Sequence, residues 1–199
     1  MSAKVPSVCW DRTETQIIGV FPAKSLPWLN RQFTFLGAVL TARVDGYAAE
    51  LAKDPVTAAL GMPAPTRRPN YPPLRVALDQ WFPADMPEES RAWWEPDVLG
   101  IWLRSLPIVR TTLPADGNVV EMSHSQAHAW TMVLPPLHCV YAVLRGGWPL
   151  PPDTTPRAVR RMGPDYRPVA SRRDTVLAAL LEQTQLDLVA TLGHGGPIR

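Results

Sequence analysis

Cysteine is scarce in this chain. Only Cys9 and Cys139 are present among 199 residues, and they stand too far apart for a C-x-x-C zinc or redox motif. A disulfide framework is not expected either, so both read as free thiols. Lysine is scarcer than the charge suggests, because arginine supplies most of the 20 basic residues. The formal net charge is only +2, which argues against a protein coated generally by polyanion. Any nucleic-acid role must rest on a local patch. The N-terminal residues lack the apolar core of a signal peptide, and no apolar run is long enough to cross a bilayer. A soluble, cytoplasmic protein with no membrane contact is therefore predicted. Also missing are a G-x-x-x-x-G-K-S/T loop, a G-x-G-x-x-G turn after a strand, a G-x-S-x-G elbow and H-E-x-x-H. Their absence disfavours the common nucleotide-driven enzymes, and no cofactor is expected.

What is present is apolar residue in quantity, 46% of the chain, enough to bury a sizeable core. Near the C-terminus, Asp174 to Leu192 reads as a helix. Ser171, three residues before Asp174, imitates a capping box with Asp in place of Glu or Gln, and Gly193 suits the C-terminal cap. Leu177, Leu180, Leu181, Leu188 and Leu192 form one stripe at 3.6-residue spacing, with Thr184 and Thr191 inside it. Leu186 and Val189 point away from the stripe. Such a helix is expected to be covered on two sides, by its own domain and by a partner.

Just upstream, Arg157, Arg160, Arg161, Arg167, Arg172 and Arg173 concentrate positive charge against Asp153, Asp165 and Asp174. Arg157, Arg160 and Arg161 have the spacing that gathers guanidinium groups on one side of a helical turn, which Pro156 is suited to open. A phosphate backbone fits that fork geometry. The competing reading is a solvated face whose arginines pair with nearby acids.

In the N-terminal half, Glu14 to Phe21 reads as a strand ended by Pro22. Ala23 to Leu29 reads as a loop, and Asn30 as the cap of a helix carrying Phe33, Leu36, Leu40, Val44, Tyr47 and Leu51. Gly37 and Gly46 in that helix would allow another backbone to come close. Asp54 and Pro55 open a short helix closed by Gly61. The expected organisation is an N-terminal strand and helix over residues 1–62, a proline-rich surface connection over 63–73, and the remainder over 74–199, making one compact domain overall. Pro69 to Pro72 has the P-x-x-P spacing of a proline-rich ligand, but a stiff loop is the preferred reading.

The segment from Leu74 to Leu106 combines Trp81, Trp93, Trp94 and Trp102 with six acids that oppose only Arg91 between Asp79 and Asp97. Two short helices meeting near Glu95 are expected there. Tryptophan in an acidic setting suits a protein-binding surface, while ordinary core is the competing and favoured reading for these residues. After Pro107, the runs Ile108 to Leu113, Val119 to Ser123, Trp130 to Leu134 and His138 to Leu144 are rich in Val, Thr, Trp and Tyr. The turn residues Pro114, Asp116 and Gly117 join the first pair. Together these predict an α+β fold, with helices in the N-terminal half and at the C-terminus packed on a small antiparallel β-meander.

The candidate chemistry lies between residues 121 and 139. In a helical reading, Glu121, His124 and His128 share one face and could ligate a metal; in the strand reading they spread apart. Cys139 is a candidate thiol nucleophile, with His124 or His128 as base, since neighbouring His138 on a strand would face the other way. These residues define a metal- or thiol-dependent hydrolase as one alternative. A viral or mobile-element structural or inhibitory protein is another. The preferred expectation is a non-catalytic subunit or adaptor, itself without a metal site. It meets protein partners, or copies of itself, through Trp81, Trp93, Trp94, Trp102, Leu186 and Val189, and nucleic acid through the Arg cluster.

Overall fold

Alternating Ile17, Gly19 and their neighbours make a strand that buries one face, and the sheet is built around it. The computed structural model describes residues 7–53, 56, 59–60 and 67–193. In it β1 (Cys9–Arg12) and β2 (Gln16–Val20) form an antiparallel hairpin. The third strand, β3 (Val119–Ser123), pairs antiparallel with the other edge of β2. Ile17, Val120 and Met122 fill the inner face. Trp10 lies opposite Gly19 and over it, because a side chain there would meet the indole ring at 2.4 Å.

Six helices are assigned among the described residues: α1 (Ser25–Leu51), α2 (Pro72–Trp81), α3 (Glu88–Thr111), α4 (His124–Leu144), α5 (Pro156–Arg161) and α6 (Arg172–Gly193). The expected α+β class with an antiparallel sheet is what forms. Ser123 ends β3 and caps α4: its Oγ accepts from Gln126 N at 3.3 Å, and Gln126 Oε1 accepts from Ser123 N at 2.8 Å. The central helix is α4, wrapped by α2, α3 and α6. From Leu137 to Leu144 every residue is buried. A single hydrophobic cluster runs from Val8 through Leu36, Leu74, Leu99 and Leu134 to Leu188.

Several expected elements are corrected. Of the four runs read as a meander, only Val119 to Ser123 is a strand. Ile108 lies in the last turn of α3, while Trp130 to Leu134 and His138 to Leu144 belong to α4. A helix buried on all sides loses its 3.6-residue polar rhythm, so its apolar runs resemble buried strands. Pro135 and Pro136 stand inside α4, and tertiary burial outweighs the helix break that they favour locally. The same holds for Pro96 and Pro107 in α3, where one long helix replaces the two short ones expected.

The first long helix begins at Ser25, six residues earlier than its periodicity indicated. Pro27 sits in its opening turn, where backbone N–H groups have no intrahelical acceptor and proline forfeits little. Pro72 and Pro73 likewise open α2 instead of extending the connection. The short helix expected from Asp54 to Gly61 falls mostly outside the described residues, as does the stretch from Pro63 to Thr66. Gly46 has open space around its Cβ position and Gly37 makes only an ordinary contact with Leu106, so neither supports a close backbone approach.

Candidate functional site

The four tryptophans expected to contact protein divide into two pairs. Trp102 is fully buried in the core, and Trp81, half-buried, packs against it edge-on at a centroid distance of 5.5 Å. Trp93 and Trp94 are 47% and 57% exposed. At about 100° per residue, Trp93, Asp97, Arg104 and Ile108 fall within roughly 60° of one another on the outward side of α3, with Trp94 at its margin. Ile108 is also exposed. On α6 the inward stripe of Leu180, Leu181, Thr184 and Leu188 is buried, and Leu186 and Val189 stand outside it at 55% and 50% exposure.

The arginines also divide. Thr155 caps α5 by accepting from Ala158 N at 3.2 Å, and Pro156 opens the helix. Arg157, Arg160 and Arg161 are exposed on it, as are Arg172 and Arg173 at the start of α6. Among the described residues none of these five has an acid within ion-pair distance. Arg167 serves the fold. Its N–H donates to the Leu144 carbonyl at 2.7 Å, and its guanidinium stands 3.7 Å from Asp174.

Asp174 is a buried node. It accepts from Ser171 Oγ at 2.6 Å and from Tyr141 Oη at 3.1 Å, and Ser171 Oγ in turn accepts from Asp174 N. The capping box anticipated from Ser171 and Asp174 is thus formed, and it ties α6 to α4. Burial favours the protonated acid, but the hydrogen bonds from Ser171 and Tyr141 prevail and hold the Asp174 pKa below the usual carboxylate range.

A second node was missed. Glu95, 6% exposed, accepts from Arg43 Nε at 2.8 Å and from the Tyr47 hydroxyl, while the Arg43 guanidinium lies over the Tyr47 ring at 4.4 Å. Burial and the bond to Glu95 raise the Tyr47 pKa, keeping the phenol a donor. The available signal was the i, i+4 spacing of Arg43 and Tyr47 on a predicted helix. It did not reveal which acid they would meet.

The histidines and Cys139 do not assemble. Glu121 lies in β3, whereas His124 and His128 lie on α4. No group of three potential metal ligands occurs among the described residues. Cys139 is on the same helix 11 residues past His128 and 15 past His124, which at about 1.5 Å per residue separates them by roughly 16 and 22 Å along the axis. Burial pushes the Cys139 thiol up to about 12, so it is a poor nucleophile at neutral pH. His138 packs against Trp148 at 5.1 Å, and burial lowers its pKa.

The described surface also carries grooves. One, about 870 Å³, lies between α1 and the end of α3, with Phe33, Leu103 and Leu106 as apolar lining and Asn30, Arg110 and Asp116 as polar lining. A second, about 510 Å³, is lined by Phe35, Val39, Leu74 and Met162 with Arg43 and Arg161. A third, about 410 Å³, is polar and contains Arg67, Arg68 and Arg75.

A family model described as Domain of unknown function (DUF2017) matches residues 7–147, most of the chain. The chain belongs to that family. No curated protein and no solved structure matches it. The DUF2017 match spans the sheet and α1 through α4, including the Glu95 node and the outward face of α3. The Arg cluster and α6 lie beyond it. Among the described residues of this DUF2017 protein, no helix is long and apolar enough to cross a membrane.

Proposed function

We infer that this chain is a non-catalytic interaction subunit that docks a protein partner on the outward face of α3. The observation that carries this reading is the adjacent pair Trp93 and Trp94, about half exposed on a helix whose opposite side is core. Tryptophan supplies a large, stiff contact area at low conformational cost and is enriched where binding energy concentrates. Leu186 and Val189 on α6 provide a second apolar contact. The separation of Cys139 from His124 and His128 weighs against the hydrolase alternative.

Truncation of exposed side chains leaves stability within about 0.5 kcal/mol each. The double variant Trp93→Ala/Trp94→Ala is therefore expected to unfold like wild type and to lose its partner. Affinity purification from the native cell, with sedimentation velocity to detect self-association, measures this. Retention of every partner and of the native oligomeric state by the folded variant overturns the assignment.

Nucleic-acid contact at Arg157, Arg160 and Arg161 is a second reading, favoured by their exposure without acid partners among the described residues. Phosphate contacts release counterions, so binding should weaken steeply with salt. Fluorescence anisotropy with labelled DNA and RNA is expected to show salt-sensitive binding that the triple Arg→Glu variant lacks. Absence of binding at low salt leaves the protein-docking function alone.

A further inference from the structure

The polar groove runs between the segment 67–75, the start of α3 and residues 153–158. Arg75 Nη1 lies 2.7 Å from Asp153 Oδ2, and Arg68 Nε lies 2.7 Å from Glu88 Oε1. Arg67 has no acid partner among the described residues. Among the groove's lining residues three guanidinium groups therefore face two carboxylates; outside the lining, Arg75 Nε also stands 4.0 Å from Asp79 Oδ2, a carboxylate shared with Arg91. The carboxylate side chains of Glu88 and Asp153 are 60% and 61% exposed, whereas that of Arg75 is only 18% exposed. Exposed ion pairs of this kind are weak and exchange readily. The acids can swing into solvent while the Arg75 fork stays in place.

One lining residue, Thr154, also keeps a buried polar atom, Oγ1, without a partner, while Arg75 Nε makes no hydrogen bond and has only the longer contact to Asp79 at 4.0 Å. Buried polar atoms in native proteins are nearly always satisfied, and orphans commonly mark the place of a water or an ion. Arginine forks match carboxylate and phosphate oxygens bidentately, and a cluster of three suits the several oxygens of a phosphate.

We propose that this groove binds a phosphate monoester, whose dianionic head displaces Asp153 and Glu88 from Arg75 and Arg68 and engages Arg67 as a third partner. The charge count favours a dianion over a single carboxylate, since one ligand replaces two acids. The volume of about 410 Å³ suits a small molecule. Glu88 and Asp153, remaining nearby, repel an extended polyanion. The site is independent of the α3 docking face and of its fate.

The test is calorimetric titration of the full chain at constant ionic strength with inorganic phosphate, AMP and adenosine. Saturable binding of phosphate and AMP, with none of adenosine, is expected. Arg68→Gln/Arg75→Gln should weaken it by about tenfold or more. Glu88→Gln/Asp153→Asn, both at exposed positions, should tighten it several-fold by removing the competing acids. A purely structural role for the ion pairs would not produce that gain. Should the Arg75 variant misfold, Arg67→Gln and the acid double variant decide the matter alone. Absence of saturable binding, or affinity unmoved by the acid variant, overturns the site. A 5′-phosphorylated and a dephosphorylated oligonucleotide provide the last arm. Equal binding of the two, with AMP silent, assigns the groove to nucleic-acid backbone and also overturns the proposal.

Discussion

At Gly19 a single hydrogen keeps the sheet and the aromatic core together. Trp10 lies over it, and the indole meets Phe21 at 5.6 Å and Trp130 at 6.3 Å. A methyl group there would have to displace the ring. Gly19→Ala is expected to destabilise the fold by about 1–3 kcal/mol, as overpacked cores generally do, measurable as a lower urea midpoint. His138 supplies a pH dependence. Burial lowers its pKa in the fold, so the unfolded chain binds the proton more readily and stability rises with pH. Its contribution is complete above the unfolded value, about 6.5, and is lost as pH falls through the depressed folded value. Urea midpoints across that window should fall less in His138→Gln than in wild type. Single residues were legible in the sequence where chemistry is local. Ser171, Asp174, Leu186 and Val189 occupy their expected places, whereas the division of buried Trp102 from exposed Trp93 and Trp94 depends on which side of α3 meets α4.

Elements were legible when their caps and periodicity agreed. The last helix satisfies both conditions, and its Ser171 cap has a measurable share in stability. Ser171→Ala removes the acceptor for Asp174 N and the donor to Asp174 Oδ2. A loss of about 1 kcal/mol, within the usual range for N-caps, is expected in chemical denaturation. Asp174 itself contributes stability that is present above the unfolded carboxylate value and lost as pH falls through its lowered folded value. The central helix was illegible for the opposite reason. Complete burial from Leu137 to Leu144 erases the polar face, and Pro135 with Pro136 imitates a turn. Packing against α2, α3 and α6 decides the conformation, and that information is not local.

For the whole molecule, the family match stops at Gly147 while the core continues. The grooves and the Glu95 node were hidden from the sequence because they join residues far apart in the chain, such as Arg43 with Glu95 and Arg75 with Asp153. The same long-range closure involves α6, which lies on α4 and β1. Arg12 reaches from β1 to the carbonyls of Thr191 and Leu192 at 3.3 and 2.9 Å. A chain ending at Gly147 keeps the entire matched segment and loses Leu180, Leu181 and Leu188 from the core. At about 1.5–3 kcal/mol per buried leucine, these three alone amount to roughly 5 kcal/mol or more. Newly exposed apolar surface on α4 and the lost Tyr141 to Asp174 bond add to that. Whole domains are stable by only about 5–15 kcal/mol. The truncated chain should therefore lose its cooperative thermal transition and bind a hydrophobic dye, with helical circular dichroism partly retained. A sharp transition within a few degrees of the full chain's would instead make residues 7–147 a self-sufficient domain and α6 an attachment to it.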